Sequence, residues 1–444
     1  MRILMVSNLY PPFYHGGYEI RCAQVAGALQ RRGHEVRVLT TVYGIPVRFG
    51  THYQRTTEMI DGVRVDRWLH NYAFGPQQSF RPWVLFQIKR ELADARRFLG
   101  ILSEFRPEVI NWWNMNGVSK LLLPLPERWG IPDVHWIEYP WMVDEYGACG
   151  EKASCFWERV WDGAWGPPVV HPLSRWLVQR WESRVEREGL PTRKFANRPT
   201  LVCFVSEFLR SLYREGGLHF PGSEVLFGGI PVEPFYRPVV NKSLAPDAIR
   251  VLYAGQLTAD RGLHTAVEAI GQMAALYQQR IRLSVAGPTD RAYRPYYERV
   301  ARRVEELGLS KIVSFLGKVD HGRMPEIYKS HDLLVFLSAR EEGLPLVMVE
   351  AMLAGCAVVT TGSGGAMEIA ELADLPVVSK GDSLELAKKL EAWIEQPETL
   401  WKLAEHGQAV ALREFSLDRM IERWQDTLER LCKQGRGQAS ERPD

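Results

Sequence analysis

The sequence predicts two successive α/β domains, each a parallel sheet wound on both faces by helices. Three observations carry this. Short apolar runs alternate with amphipathic segments, and the rhythm starts once at Arg2 and again at Ile249. Glycine-punctuated turns join apolar run to helix at Gly16-Gly17, at Gly255 to Gly262 and at Gly364-Gly365. At 444 residues the chain exceeds one ordinary core and suits two domains of about 200 residues each.

The elements follow in order. Arg2 to Ser7 reads as a strand, Gly16-Gly17 open a helix through Arg32, and Glu35 to Thr40 is the next strand. Strand, glycine turn, helix and strand make a βαβ unit with its turn at the ligand end of the sheet. Ile20, Ala23, Gln24, Ala28 and Leu29 are expected near one face of that helix. Further strands are expected at Gly62 to Trp68, Glu108 to Trp112, Val134 to Glu138 and Leu201 to Val205. The run Leu226 to Pro238, LFGGIPVEPFYRP, marks a boundary by its glycines and prolines. Beyond it, strands are expected at Ile249 to Ala254, Ile281 to Ala286, Ile312 to Leu316, Leu333 to Leu337, Ala357 to Thr360 and Pro376 to Val378. From Ser383 to Leu431 the pattern is helical, and Met420, Ile421, Trp424, Leu428 and Leu431 form a final apolar stripe. The expected division is 1–228 with a closing helix 414–433, then 229–413, with 434–444 a disordered tail.

Composition excludes some roles. A net charge of +2 gives no general argument for nucleic acid. The apolar run in MRILMVSNLYPP is too short for an export signal, and no run approaches the roughly 20 residues that span a bilayer. Cys22, Cys203 and Cys356 sit in apolar segments as packed thiols do, so a reduced cytoplasmic chain is expected. Cys149 and Cys155 lie close together in an irregular stretch without enough neighbours for a metal site. Trp157, Trp161 and Trp165 share a helical face near arginines, which reads either as packing or as peripheral docking on the inner face of a membrane.

The chemistry concentrates in Ser338 to Glu371. Glu342 and Glu350 flank a Gly343-Leu344-Pro345 turn that opens a helix, with Pro345 expected at its first position. A helix start with unpaired N–H groups favours an anion, and two carboxylates beside it favour hydroxyls, so a sugar nucleotide fits. The plainer alternative is an exposed loop acid at Glu342 and an ion pair at Glu350. Gly355, the apolar run Ala357 to Val359, then Gly364, Gly365 and Glu368 complete a nucleotide-binding unit.

At Glu342, Gly343, Glu350, Ala351, Met352, Gly355, Gly365 and Glu368 the chain resembles the family-4 glycosyltransferases, retaining enzymes with the two-domain GT-B fold. The resemblance implies two Rossmann-like domains facing a cleft, with the C-terminal helix crossing back to the N-terminal domain. It implies that Glu342 contacts donor-sugar hydroxyls and Glu350 the ribose diol. Amides near Gly343, Leu344 and Pro345, and near Gly365 and Met367, would line the sugar and phosphate pocket. Gly16 and Gly17 would lie near the donor phosphates and the acceptor, and Gly317 in the base pocket. In the turn AGQLTADRGL, Gln256 stands where the family has arginine and Arg261 where it has lysine, so Arg261 would grip the diphosphate.

No Asp-x-Asp occurs in the chain, so no tightly bound metal is expected, with Mg²⁺ travelling on the nucleotide as the alternative. Glu138 replaces a family histidine and either binds or deprotonates a hydroxyl, or solvates a strand end. Asn111, Trp113 and Asn114, with Trp141, are acceptor-side candidates by their amides and aromatic faces, with packing of Trp112 and Trp113 the alternative. The function expected is metal-independent, retaining transfer from a UDP- or GDP-sugar to a carbohydrate or lipid-linked acceptor. A binding protein without turnover, or a phosphorylase or epimerase on the same scaffold, is the alternative.

Overall fold

The computed structural model describes residues 1–14, 16–42, 55–70, 83–142, 169, 171–187, 199–239, 248–290 and 292–440. They form two compact units, one of Met1–Val205, Leu209–Leu226 and Ile421 onward, the other of Ser206–Phe208 and Phe227–Met420.

The first unit holds eight strands: β1 (Arg2–Val6), β2 (Glu35–Thr41), β3 (Thr56–Ile60), β4 (Val63–Leu69), β5 (Val109–Trp112), β6 (Asp133–Ile137), β7 (Leu201–Phe204) and β8 (Ser223–Val225). Their order is β3-β4-β2-β1-β5-β6-β7-β8. All neighbours run parallel except β3 and β4. Strands β5, β6 and β7 are buried throughout, as parallel strands covered on both faces are. Sequence reading missed β3. Its turn, Asp61-Gly62, has φ of 49° and 79°, the positive pair that a two-residue hairpin needs.

Tryptophans fill the space around this sheet. Trp113 stacks on Trp136 at 5.6 Å, and Trp424 meets Trp136 edge-on at 4.9 Å. Trp424 belongs to the last helix, Leu417–Ser440, whose turns from Ile421 onward join this unit. That helix continues past Lys433, so 434–440 are helical where a disordered tail was expected.

The second unit restarts with β9 (Ile249–Ala254), then β10 (Ile281–Ala286), β11 (Val313–Gly317), β12 (Leu333–Phe336) and β13 (Ala357–Thr360). The order β11-β10-β9-β12-β13 is parallel throughout. Side chains alternate between two cores. Ile249, Val251 and Tyr253 face the helices Leu263–Gln272 and Ser383–Glu395, while Leu252 joins Leu334, Val358 and the helix Leu346–Leu353. The expected strand at Pro376 to Val378 is a single bridge, Thr360 to Val377.

After β9 the chain winds outward to β10 and β11, then returns to place β12 on the other side of β9. This reversal opens a crevice at the carboxyl ends of β9 and β12, where open α/β sheets bind ligands. The amino ends are closed instead by Arg250, which grips Asp332 through Nε at 3.0 Å and Nη2 at 2.8 Å.

Candidate functional site

Three turns meet at that carboxyl edge of the second unit, and backbone contacts lock them together. Gly262 ends the turn after β9 at φ 75°, and a Cβ there would lie 2.1 Å from the Leu337 carbonyl oxygen. Only glycine fits. The Asp260 carbonyl accepts the Ala339 N–H at 2.7 Å, tying this turn to the one after β12. The Ser338 carbonyl in turn accepts hydroxyls of Thr361 at 2.5 Å and Ser363 at 2.6 Å, from the turn after β13. Gly365 donates its N–H to the Glu342 carbonyl at 2.8 Å, and a Cβ on Gly365 would stand 2.0 Å from the Gly343 oxygen. The helices Leu263–Gln272 and Gly365–Leu372 therefore start at one braced edge, where their dipoles favour an anion.

Charged side chains converge on this edge. Arg261 Nη1 is ion-paired with Glu342 Oε1, with the two side chains 19% and 21% exposed. The Arg261 Nε is buried and makes no hydrogen bond. Burial raises the Glu342 carboxyl above its ordinary range; Arg261 and Arg340 oppose that rise, and Asp260 adds to it. Glu350 is half-buried and accepts the Tyr328 hydroxyl at 2.8 Å. Burial first, then Glu350, pushes the Tyr328 phenol well above its usual value, so it remains a neutral donor.

The remaining donor-side candidates fall on the same turns or beside them. Gln256 is exposed, and its carbonyl accepts the Tyr253 hydroxyl at 3.0 Å. Gly317 ends β11 and accepts the Gly287 N–H at 2.9 Å. Gly343, Leu344 and Met367 are half-buried. Pro345 is buried and caps the helix with ψ 96°, so Leu346 is the first helical residue and the expected position is off by one.

In the first unit, Gly16 is exposed and caps the helix Gly17–Arg31, giving its N–H to Glu19 Oε2 at 3.1 Å. Gly17 is exposed beside it. Glu19 is itself buried, and its other oxygen accepts Asn114 Nδ2 at 2.9 Å. The buried face of this helix runs through Tyr18, Cys22, Val25 and Leu29, whereas Ile20, Ala23 and Gln24 are only half-buried. Buried Glu19 and Arg21 turn it away from the face that hydrophobicity alone predicts. Glu138 is bound to that Arg21 at 2.8 Å and accepts Trp136 Nε1 at 2.7 Å. Burial still raises the Glu138 carboxyl, with Arg21 and Trp136 opposing.

Three acceptor-side expectations are corrected. Asn111, Trp113 and Trp141 are buried in the core. Asn111 accepts Trp113 Nε1 at 2.6 Å and donates to the Val134 carbonyl at 3.3 Å, which satisfies its amide internally. Trp141 stacks on His135 at 6.0 Å, with the Lys120 ammonium 5.2 Å from its ring. Large aromatic area drives these rings inward, and only half-buried Asn114 stays near the edge.

Sequence reading also missed Tyr328, Glu19 and Arg21. A glutamate three residues after the capping Gly16 was a signal for Glu19, because from that position its carboxylate reaches back to the Gly16 N–H. The pairs Tyr328–Glu350 and Arg21–Glu138 form only in three dimensions. Cys149, Cys155, Trp157, Trp161 and Trp165 lie outside the described residues. Among the described residues no three His, Cys, Asp or Glu side chains cluster as metal ligands, and no helix is long and apolar enough to cross a membrane.

Known proteins resemble both units. A family model described as glycosyl transferase 4-like domain matches residues 16–226, and one described as glycosyl transferases group 1 matches residues 240–410. The chain is 28% identical to the uncharacterized glycosyltransferase MJ1607 of Methanocaldococcus jannaschii over 386 residues, covering 83% of this chain and 82% of that one. The structure of sucrose-phosphate synthase from Thermosynechococcus elongatus superposes with a TM-score of 0.65 at 18% identity, over 97% of this chain and 98% of that one. Anabaena HepE, solved in complex with UDP-glucose, superposes with a TM-score of 0.63 at 18% identity, over 97% and 99%.

Proposed function

We propose that this chain, which belongs to the family-4 group 1 glycosyltransferases of the GT-B fold, transfers a sugar from a UDP- or GDP-sugar to a hydroxyl of a carbohydrate or lipid-linked acceptor. The observation that carries this reading is the braced edge of the second unit. It combines two helix starts with Arg261 and Glu342 on turns braced by glycines, and Glu350 on the helix that follows. Helix starts and Arg261 suit a diphosphate, and carboxylates suit the hydroxyls of sugar and ribose. The UDP-glucose complex of the HepE neighbour supports the same donor class.

In this reading Arg261 and the amides of the turns receive the charge that develops on the diphosphate as the anomeric C–O bond breaks. Glu342 orients donor-sugar hydroxyls, and Glu350 accepts from the ribose diol. The acceptor oxygen attacks the face the diphosphate leaves, and its proton passes to a diphosphate oxygen, so the anomeric configuration is retained. No protein nucleophile and no resident metal is needed. On the first unit, Gly16, Gly17 and Asn114 are the groups assigned to the acceptor and phosphates. Among the described residues, the buried thiols of Cys22, Cys203, Cys356 and Cys432 suit a reducing cytoplasm.

The test is incubation of pure protein with UDP- and GDP-sugars, with acceptor extracts, with and without EDTA. Release of nucleoside diphosphate and a product with the donor's anomeric configuration is expected under both conditions. Nucleotide binding without release would support a binding protein instead, and release abolished by EDTA would overturn metal independence.

A further inference from the structure

We infer that Arg340 is the second cation of the donor site: its guanidinium stands open beside the Arg261–Glu342 pair and binds the terminal phosphate of the diphosphate, the one that carries the sugar. This rests on the reading of the braced edge as the donor site.

A diphosphate carries several negative charges, and this edge is short of positive ones. Gln256 is exposed on the same turn as Arg261 and is neutral. Arg261 is ion-paired with Glu342 in the free protein. The turns after β9 and β12 hold the carboxylates of Asp260, Glu341 and Glu342 against the guanidiniums of Arg261 and Arg340. Loss of either cation would leave a polyanion facing mostly carboxylates.

Arg340 differs from Arg261 in being unengaged. It is exposed, and among the described residues its side chain has no hydrogen bond or ion pair. Its backbone is nevertheless fixed. The Arg340 N–H donates to the Asp260 carbonyl at 3.3 Å, and its own carbonyl accepts the Ser338 hydroxyl at 3.0 Å. Two residues on, the Glu342 carbonyl accepts the Gly365 N–H at 2.8 Å. Held at both ends, the segment hangs the Arg340 side chain near Asp260 and Glu342. The Thr258 hydroxyl first, and Arg340 with it, hold the Asp260 carboxyl low, while burial raises the Glu342 carboxyl against Arg261 and Arg340.

In the proposed reaction Glu342 orients the donor sugar, and the sugar hangs from the terminal phosphate. A cation two residues from Glu342 therefore falls to that phosphate. Its guanidinium offers five N–H donors in a fixed fork, which suits a pair of phosphate oxygens. When the diphosphate draws Arg261 away, Arg340 remains beside the released carboxylate and limits its repulsion of the phosphates.

The experiment is calorimetric titration of the full chain with UDP, GDP, UMP and GMP, at low and high salt, for wild type, Arg340→Gln and Lys311→Gln. Lys311 is an exposed cation just before β11, so its substitution removes the same charge from the amino ends of the sheet. The expected result is that Arg340→Gln weakens both diphosphates about tenfold at low salt and less at high salt. Monophosphate affinity, the Lys311→Gln variant and the melting curves should match wild type. Unchanged diphosphate affinity in Arg340→Gln would overturn the inference. Equal weakening of mono- and diphosphates, or equal weakening by Lys311→Gln, would reduce Arg340 to a diffuse charge and overturn it too. A lowered Tm in Arg340→Gln would assign the side chain to the fold instead. Wild type that binds no nucleoside diphosphate would sink the reading of the edge first, and the inference with it.

Discussion

Arg261 and Glu342, one on the turn after β9 and the other on the turn after β12, neutralise each other in the free protein. Both are only about one-fifth exposed, so each charge is costly to leave alone. In the proposed reaction they serve different parts of one donor, the diphosphate and the sugar. Binding then exchanges partners: the diphosphate takes the guanidinium, and sugar hydroxyls take the released carboxylate.

This exchange predicts opposite signs for two substitutions. Arg261→Ala should weaken UDP or GDP binding by about 1.5–3 kcal/mol, the usual worth of a charged hydrogen bond. Glu342→Gln should strengthen binding of the bare nucleoside diphosphate while slowing transfer, because the guanidinium no longer has to leave a carboxylate. Calorimetry on both variants decides the matter. Equal weakening by both would show that Glu342 does not compete for Arg261.

The pH dependence of stability follows from the same carboxyl. Burial raises Glu342 in the folded protein, so the folded state binds that proton more tightly than the unfolded chain does. Stability from such a group is fully present below its unfolded pKa and is lost as pH climbs through the raised folded one. The Tm of Glu342→Gln relative to wild type should therefore rise from about pH 4 to about pH 7. A falling difference would mean that the Arg261 pair outweighs burial.

Much of this arrangement was legible before the structure. Parallel strands covered on both faces read as largely apolar runs, and β9, β10 and β13 have the expected bounds. Edge strand β3, TTEMI, is nowhere fully buried and carries no apolar run, and its Asp61-Gly62 turn was the signal to read. Side-chain partners were another matter. Tyr328 lies 22 residues before Glu350, and Arg21 sits on a helix remote in sequence from Glu138. Nothing in local pattern separates a tryptophan that stacks on sugar from one that stacks on Trp136, and burial decided for the core at Trp113.

The glycine pair after β13 makes a steric prediction. A Cβ on Gly365 would stand 2.0 Å from the Gly343 oxygen, so Gly365→Ala must push the Glu342 turn away. Overpacking of this kind costs about 1–3 kcal/mol. Nucleotide affinity and Tm should fall together. Gly16 is the contrast, since its φ of −163° suits any residue and nothing lies within 4 Å of a Cβ there. Gly16→Ala should leave Tm nearly unchanged, and any fall in kcat/KM would report a ligand passing close to that backbone.

Glu138 offers the sharpest division between structure and chemistry in the first unit. Its partner Arg21 is 3% exposed, so Glu138→Ala takes a carboxylate away from a buried cation, a change that costs up to about 3–5 kcal/mol. Replacing both, as Arg21→Met with Glu138→Leu, removes that buried charge and should restore most of the Tm. If Glu138 serves mainly to hold Arg21, the double variant should transfer sugar within about tenfold of wild type, a loss under about 1.4 kcal/mol in the transition state. A double variant that melts like wild type yet transfers nothing would place the carboxylate on the acceptor hydroxyl instead. The two outcomes are separable because stability and turnover are read on the same protein.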